Sequence, residues 1–135
     1  NNVSALTVFV TLQHELIHAD IKRRLMVDHG WDGSNQTLDD AFFKLVYYEY
    51  GPNASFSEHE LMLRYYTDTM VESLIEANGG IGTADDFIGL IYNGFPEDVL
   101  YYLNITLSDV YALYDQYIQF VSEPGMINSA ITNCD

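Results

Sequence analysis

Two imidazoles and a carboxylate stand in the order His14-Glu15-Leu16-Ile17-His18. On a helix, residues four apart share a face, so His14 and His18 can turn their rings toward one cation. Glu15 lies ~100° further round the helix and can reach a water held at that cation without binding it. Two neutral nitrogen ligands, with a base that takes a proton from water and hands it to a leaving amine, are what metal-assisted amide hydrolysis needs. The chain has four histidines and one cysteine, Cys134. Zn²⁺ would therefore have to be held by histidines and carboxylates, and no disulfide framework can form within the chain.

A catalytic zinc site has three protein ligands and one open position. The candidates for the third ligand are His59, His29, and the carboxylates Glu58 or Glu60. His59 is preferred, because His59, Met62 and Tyr66 form one stripe at i, i+3 and i+7 that can face the first helix. Tyr66 is then a candidate catalytic residue, a second donor to the oxyanion beside the metal. Met62 reads as packing. A ligating histidine normally gives its other N–H to a carboxylate or carbonyl, and Asp20 and Asp68 are candidates for that. The plainer alternative is a helix that merely contains the pattern. Leu16 and Ile17 between the histidines argue for a core-packed helix.

The rest of the sequence must supply elements that bring these residues together. Ser4 can cap a first helix running to about Asp28, with apolar residues Leu6, Val10, Leu16, Ile17, Ile21 and Leu25 at helical spacing. His29-Gly30 ends it. Thr37 is expected to cap a second helix from Leu38 to about Tyr50, with Asp39 and Asp40 at its positive end. Ser57 followed by Glu60 is a capping-box pattern opening a third helix through about Ala77. Thr83 with Asp86 starts a fourth, ending near Tyr92, and Pro96 a fifth, ending near Leu103. Thr106 or Ser108 caps the last, to about Val121. The expectation is an all-α fold, about six helices in a single domain over residues 1–135 built around the first helix, with a polar tail from about residue 123.

The segment His14-Glu15-Leu16-Ile17-His18-Ala19 resembles the active-site helix of zincin metallopeptidases, in particular small SprT-like and related uncharacterised bacterial enzymes. A set of bacterial and phage zincin-like proteins pairs such a helix with a later His-x-x-Met-x-x-x-Tyr-x-Asp segment, similar here to His59 through Asp68. They also have an aromatic turn similar to Tyr92-Asn93-Gly94-Phe95. The resemblance spans roughly Val8 to Tyr102. It implies zinc at His14, His18 and His59, Glu15 as catalytic acid and base, and a peptide or protein substrate. Zincins carry a small β-sheet ahead of the active-site helix that aligns the peptide. Here that sheet is expected to be absent or truncated, and the sequence reads as a fragment or a trimmed chain. SprT-like enzymes place their third histidine in a His-Gly step, which keeps His29-Gly30 among the candidates.

Composition narrows the rest. Five basic residues stand against 20 acidic ones, for a net charge of −15, and such a surface repels a phosphate backbone, so direct nucleic-acid binding is not expected. Three of the five, Lys22, Arg23 and Arg24, fall together and read as a solvated helix side. No apolar run approaches the ~18 residues of a membrane span. Four Asn-x-Ser/Thr sequons, at Asn2, Asn35, Asn53 and Asn104, fit chance in an Asn- and Thr-rich chain as well as a secreted origin. Two other classes of function stay open beside hydrolysis: a non-catalytic zinc-binding helical module, and an acidic protein-interaction domain.

Overall fold

The longest apolar periodicity gives the longest element. In the computed structural model, which describes residues 2–127, α1 runs Asn2–His29. That is ~42 Å of helix at 1.5 Å per residue. It buries Leu6, Val10, Ile21 and Leu25. Leu16, expected on the same buried face, is 67 % exposed, because it sits roughly opposite the packed stripe. Ser4 lies inside the helix rather than capping it. Gly30 stops α1 with φ of +67°, a left-handed turn open to glycine at little cost.

Six further helices follow among the described residues: α2 Leu38–Tyr50, α3 Glu58–Tyr65, α4 Thr67–Ala77, α5 Ala84–Tyr92, α6 Glu97–Tyr102 and α7 Leu107–Ser122. The all-α expectation holds, with no strand among the described residues, and the helices form one domain. The expected third helix is divided at Tyr66 into α3 and α4. Neither Pro nor Gly marks the break. Thr67 is buried and its hydroxyl donates to the Leu63 carbonyl at 2.7 Å, a side-chain bond that bends helices.

The expected starts hold at Ser57, whose hydroxyl accepts from the Glu60 N–H, and at Thr83 and Thr106, which form capping boxes with Asp86 and Asp109. The start after Thr37 holds too, but without a side-chain cap. Its hydroxyl donates to Asp32 in the preceding loop at 2.6 Å and makes no bond to the α2 backbone.

One core joins the helices. α5 lies tightly along α7, α4 packs on α5, and α1 touches α2, α4, α5 and α7. Leu45, Leu61, Met62, Leu74, Phe87, Ile91 and Tyr117 are fully buried in it. The α5–α7 crossing needs a residue without a side chain: a Cβ at Gly89 would stand 2.2 Å from the Leu113 backbone. α3 packs on α6, which sets the start of α6 beside His59.

Candidate metal centre

α1 and α3 together bring three imidazoles to one point. The Nε2 atoms of His14 and His18 are 3.1 Å apart, those of His14 and His59 3.3 Å, and those of His18 and His59 3.2 Å. The first pair follows from the four-residue spacing on α1. The third ring arrives from the first turn of α3, where His59 stands just ahead of the buried Leu61, Met62 and Leu63. Among the described residues this is the set of His, Cys, Asp or Glu side chains that meets closely enough to hold a metal.

Hydrogen bonds cannot satisfy this triangle. Each Nε2 has one in-plane valence, filled by either a proton or a lone pair, so a closed ring of three donors and acceptors is impossible. The His18 Nδ1 lies 2.7 Å from the Glu58 carboxylate, which as an anion can only accept, so the proton sits on Nδ1. In the neutral ring with that tautomer, His18 Nε2 turns a lone pair toward the other two rings. A tetrahedral zinc with ligands at ~2.0–2.1 Å holds its nitrogens ~3.3–3.4 Å apart, and the three observed edges are close to that. The donor set fits zinc: three imidazole nitrogens, with one carboxylate, Glu58, orienting the His18 ring.

The surroundings favour the neutral form of two of the rings, the form a metal requires. His14 is lowered from its ordinary pKa by burial first, then by the nearby His18 and His59. His59 is lowered by burial and by His18, against the opposing charges of Glu58, Asp98 and Glu15. Phe95, nearly buried, closes the back of the site. Its ring centre lies 5.0 Å from that of His14 and stands edge-on to His59 at 5.8 Å. Beside the triad is a shallow cleft of about 190 Å³ lined by Val10, Thr11, His14, Glu15, Ile91 and Gly94. Glu15 itself is exposed.

The other candidates from the sequence lie elsewhere. His29 is eleven residues beyond His18 on α1, ~16 Å along the axis, where it faces Glu49 and stacks on Tyr48. Glu58 is the partner of His18 rather than a member of the triad, a role that Asp20 and Asp68 do not take. Asp20 receives the Tyr66 hydroxyl at 3.3 Å and pairs with Arg23, while Asp68 opens α4 and its charge acts on Tyr92. Glu60 belongs to the first turn of α3 and is not among the groups that meet.

Tyr66 stands seven residues from His59, with its hydroxyl held by Arg24 at 2.6 Å and by Asp20. Burial pushes its phenol up, so it stays protonated. Arg24, read as part of a solvated run, instead bridges Tyr66 to Glu49 with 17 % of its side chain exposed. Sequence reasoning missed Phe95 and the Glu58–His18 bond as parts of the centre. The aromatic turn ending at Phe95 and the adjacency of Glu58 to His59 were the available signals. Compared with protein-family models, with curated proteins and with solved structures, the chain finds no match in any of the three.

Proposed function

We propose that this chain is a zinc-dependent hydrolase of peptide bonds, with His14, His18 and His59 as ligands and Glu15 as the general acid and base. The observation that carries the reading is the Nε2 triangle with edges of 3.1–3.3 Å beside an exposed carboxylate. Zinc bound there would supply Lewis-acid polarisation and a lowered water pKa. The chain's own residues do the rest. Glu15 takes a proton from the attacking water at its carboxylate and returns it to the amide nitrogen as the C–N bond breaks. Glu58 fixes the His18 tautomer, and burial keeps His14 and His59 neutral. Three ligands without a fourth among the described residues suit an open catalytic site better than a closed structural one.

A second reading has one observation in its favour. The ligands come from two helices, so zinc could act only as a staple joining α1 to α3. Zinc content of the purified wild type, His14→Ala and His59→Ala tests the centre, and cleavage of an unfolded protein substrate by wild type and Glu15→Gln tests the chemistry. One zinc per chain, lost in both histidine variants, together with cleavage abolished in Glu15→Gln, is the expected result. Unchanged zinc in either histidine variant removes the ligand assignment. Zinc without cleavage leaves the staple.

A further inference from the structure

Next to the histidines, α6 presents four side chains that nothing in the core requires. Its six residues run Glu97-Asp98-Val99-Leu100-Tyr101-Tyr102. Val99 and Leu100 are buried, whereas Tyr101 is 77 % and Tyr102 66 % exposed. Helical spacing sets Tyr101 one turn beyond Glu97 and Tyr102 one turn beyond Asp98. These four line one open hollow of about 500 Å³. The two rings also wall a neighbouring hollow with Asn104, Ile105 and Thr106. The rings meet edge to face with centres 6.3 Å apart.

Neither carboxylate has an ion pair or hydrogen bond among the described residues. Four of the chain's five basic side chains are engaged elsewhere: Arg23 pairs with Asp20, Arg24 with Glu49 and Lys44 with Asp40, and Arg64 lies over Phe56. Two observations set the hollow near the histidine site. Phe95, two residues before Glu97, packs on His14 and His59, and the charge of Asp98 acts on His59.

Aromatic faces above unpaired carboxylates are a receptor for a cation on an apolar stem, the ammonium or guanidinium meeting the acids while the stem and charge lie against the rings. We infer that the hollow formed by Glu97, Asp98, Tyr101 and Tyr102 receives a lysine or arginine side chain of the peptide presented to the histidine site. This specificity rests on the proposed hydrolase reading for its substrate, and the net charge of −15 draws a basic segment toward the same face.

The test measures binding and cleavage separately. Fluorescent unstructured peptides carrying lysine at one scanned position, and the same set with norleucine there, are titrated by anisotropy against zinc-loaded Glu15→Gln protein, which retains substrate if hydrolysis proceeds as proposed. The expected preference for lysine at one position is roughly tenfold, the joint worth of two exposed ion pairs and a cation–π contact, and it shrinks as salt rises. It disappears when Glu97→Gln and Asp98→Asn are added to that protein, and it falls severalfold with Tyr101→Ala. All four side chains are exposed, so circular dichroism of these variants should match the parent. Equal binding of lysine and norleucine peptides overturns the inference, as does a preference that survives loss of both carboxylates. If the preference is present but wild type cleaves none of the peptides, the hydrolase reading fails while the cation site stands.

Discussion

The bond between Glu58 and His18 offers the sharpest test of the proposed centre, because Glu58 would act on a metal only through the ring it orients. The substitution is Glu58→Gln, which keeps an oxygen acceptor at the same reach and removes the charge. At 2.7 Å the native contact is a charge-assisted bond, worth ~1.5–3 kcal/mol against ~0.5–1.5 for a neutral one. The two side chains are 20 % and 27 % exposed, so solvent screening favours the low end of the difference, ~1 kcal/mol. That corresponds to a zinc affinity about five- to tenfold weaker. Glu58→Ala, which leaves Nδ1 without a protein acceptor, should lose up to about a hundredfold. Competition with a chromophoric chelator at pH 7.5 measures both.

Glu58 also opens α3, where a negative charge favours the helix by ~0.3–1 kcal/mol, so thermal unfolding of the zinc-free variants must be followed alongside. A small fall in Tm together with the loss of affinity is expected. Wild-type zinc affinity in Glu58→Gln and Glu58→Ala would refute the argument that this carboxylate fixes the His18 tautomer.

Two further outcomes follow from the packing and the charges. Gly89→Ala should destabilise the fold although alanine favours a helix by ~1 kcal/mol, because its Cβ would meet the Leu113 carbonyl at 2.3 Å and the Tyr114 nitrogen at 2.4 Å. Forced separation of packed helices costs ~1–3 kcal/mol or more, so urea denaturation should show a net loss, and a gain would show that α5 and α7 do not cross there. The zinc-free protein should lose stability as pH falls below 6.5, the ordinary histidine value. His14 and His59 have lowered folded values, so the unfolded chain takes up protons first and their contribution is complete only above that pH. The loss continues down to the folded values, and a His14→Gln, His59→Gln protein should show a flatter slope over that window in urea titrations.

What the sequence disclosed follows how local each signal is. The α2 bounds, the stop at Gly30 and the caps at Ser57, Thr83 and Thr106 depend on residues within one turn, and they stand where the sequence puts them. His14 and His18 meet because one helix imposes it. The division at Tyr66 was not legible. The Thr67–Leu63 bond at the break is local but residue type does not announce it, and the Tyr66 phenol beside it is anchored by Arg24 and Asp20, 42 and 46 residues earlier in the chain. Leu16 misled for a similar reason: apolar type at a plausible spacing does not reveal which stripe of a 28-residue helix finds a neighbour.

His59 lies between these cases. Its helix was legible, but its meeting with α1 depends on side chains packed between the helices. Met62, three residues on, is fully buried, as is Leu61, with Leu63 nearly so, so α3 turns one face to the core. That rotation points Glu58 and His59, neighbours in the chain, at two different nitrogens of the same centre: the carboxylate at His18 Nδ1 and the imidazole at the converging Nε2 atoms. A helix start that supplies both a ligand and the partner of another ligand constrains the cluster from two directions. The His-Glu-x-x-His spacing alone supplies two ligands and leaves the ring of the second free to turn. The Glu58 bond from α3 holds that ring, and with it the three Nε2 atoms face one point.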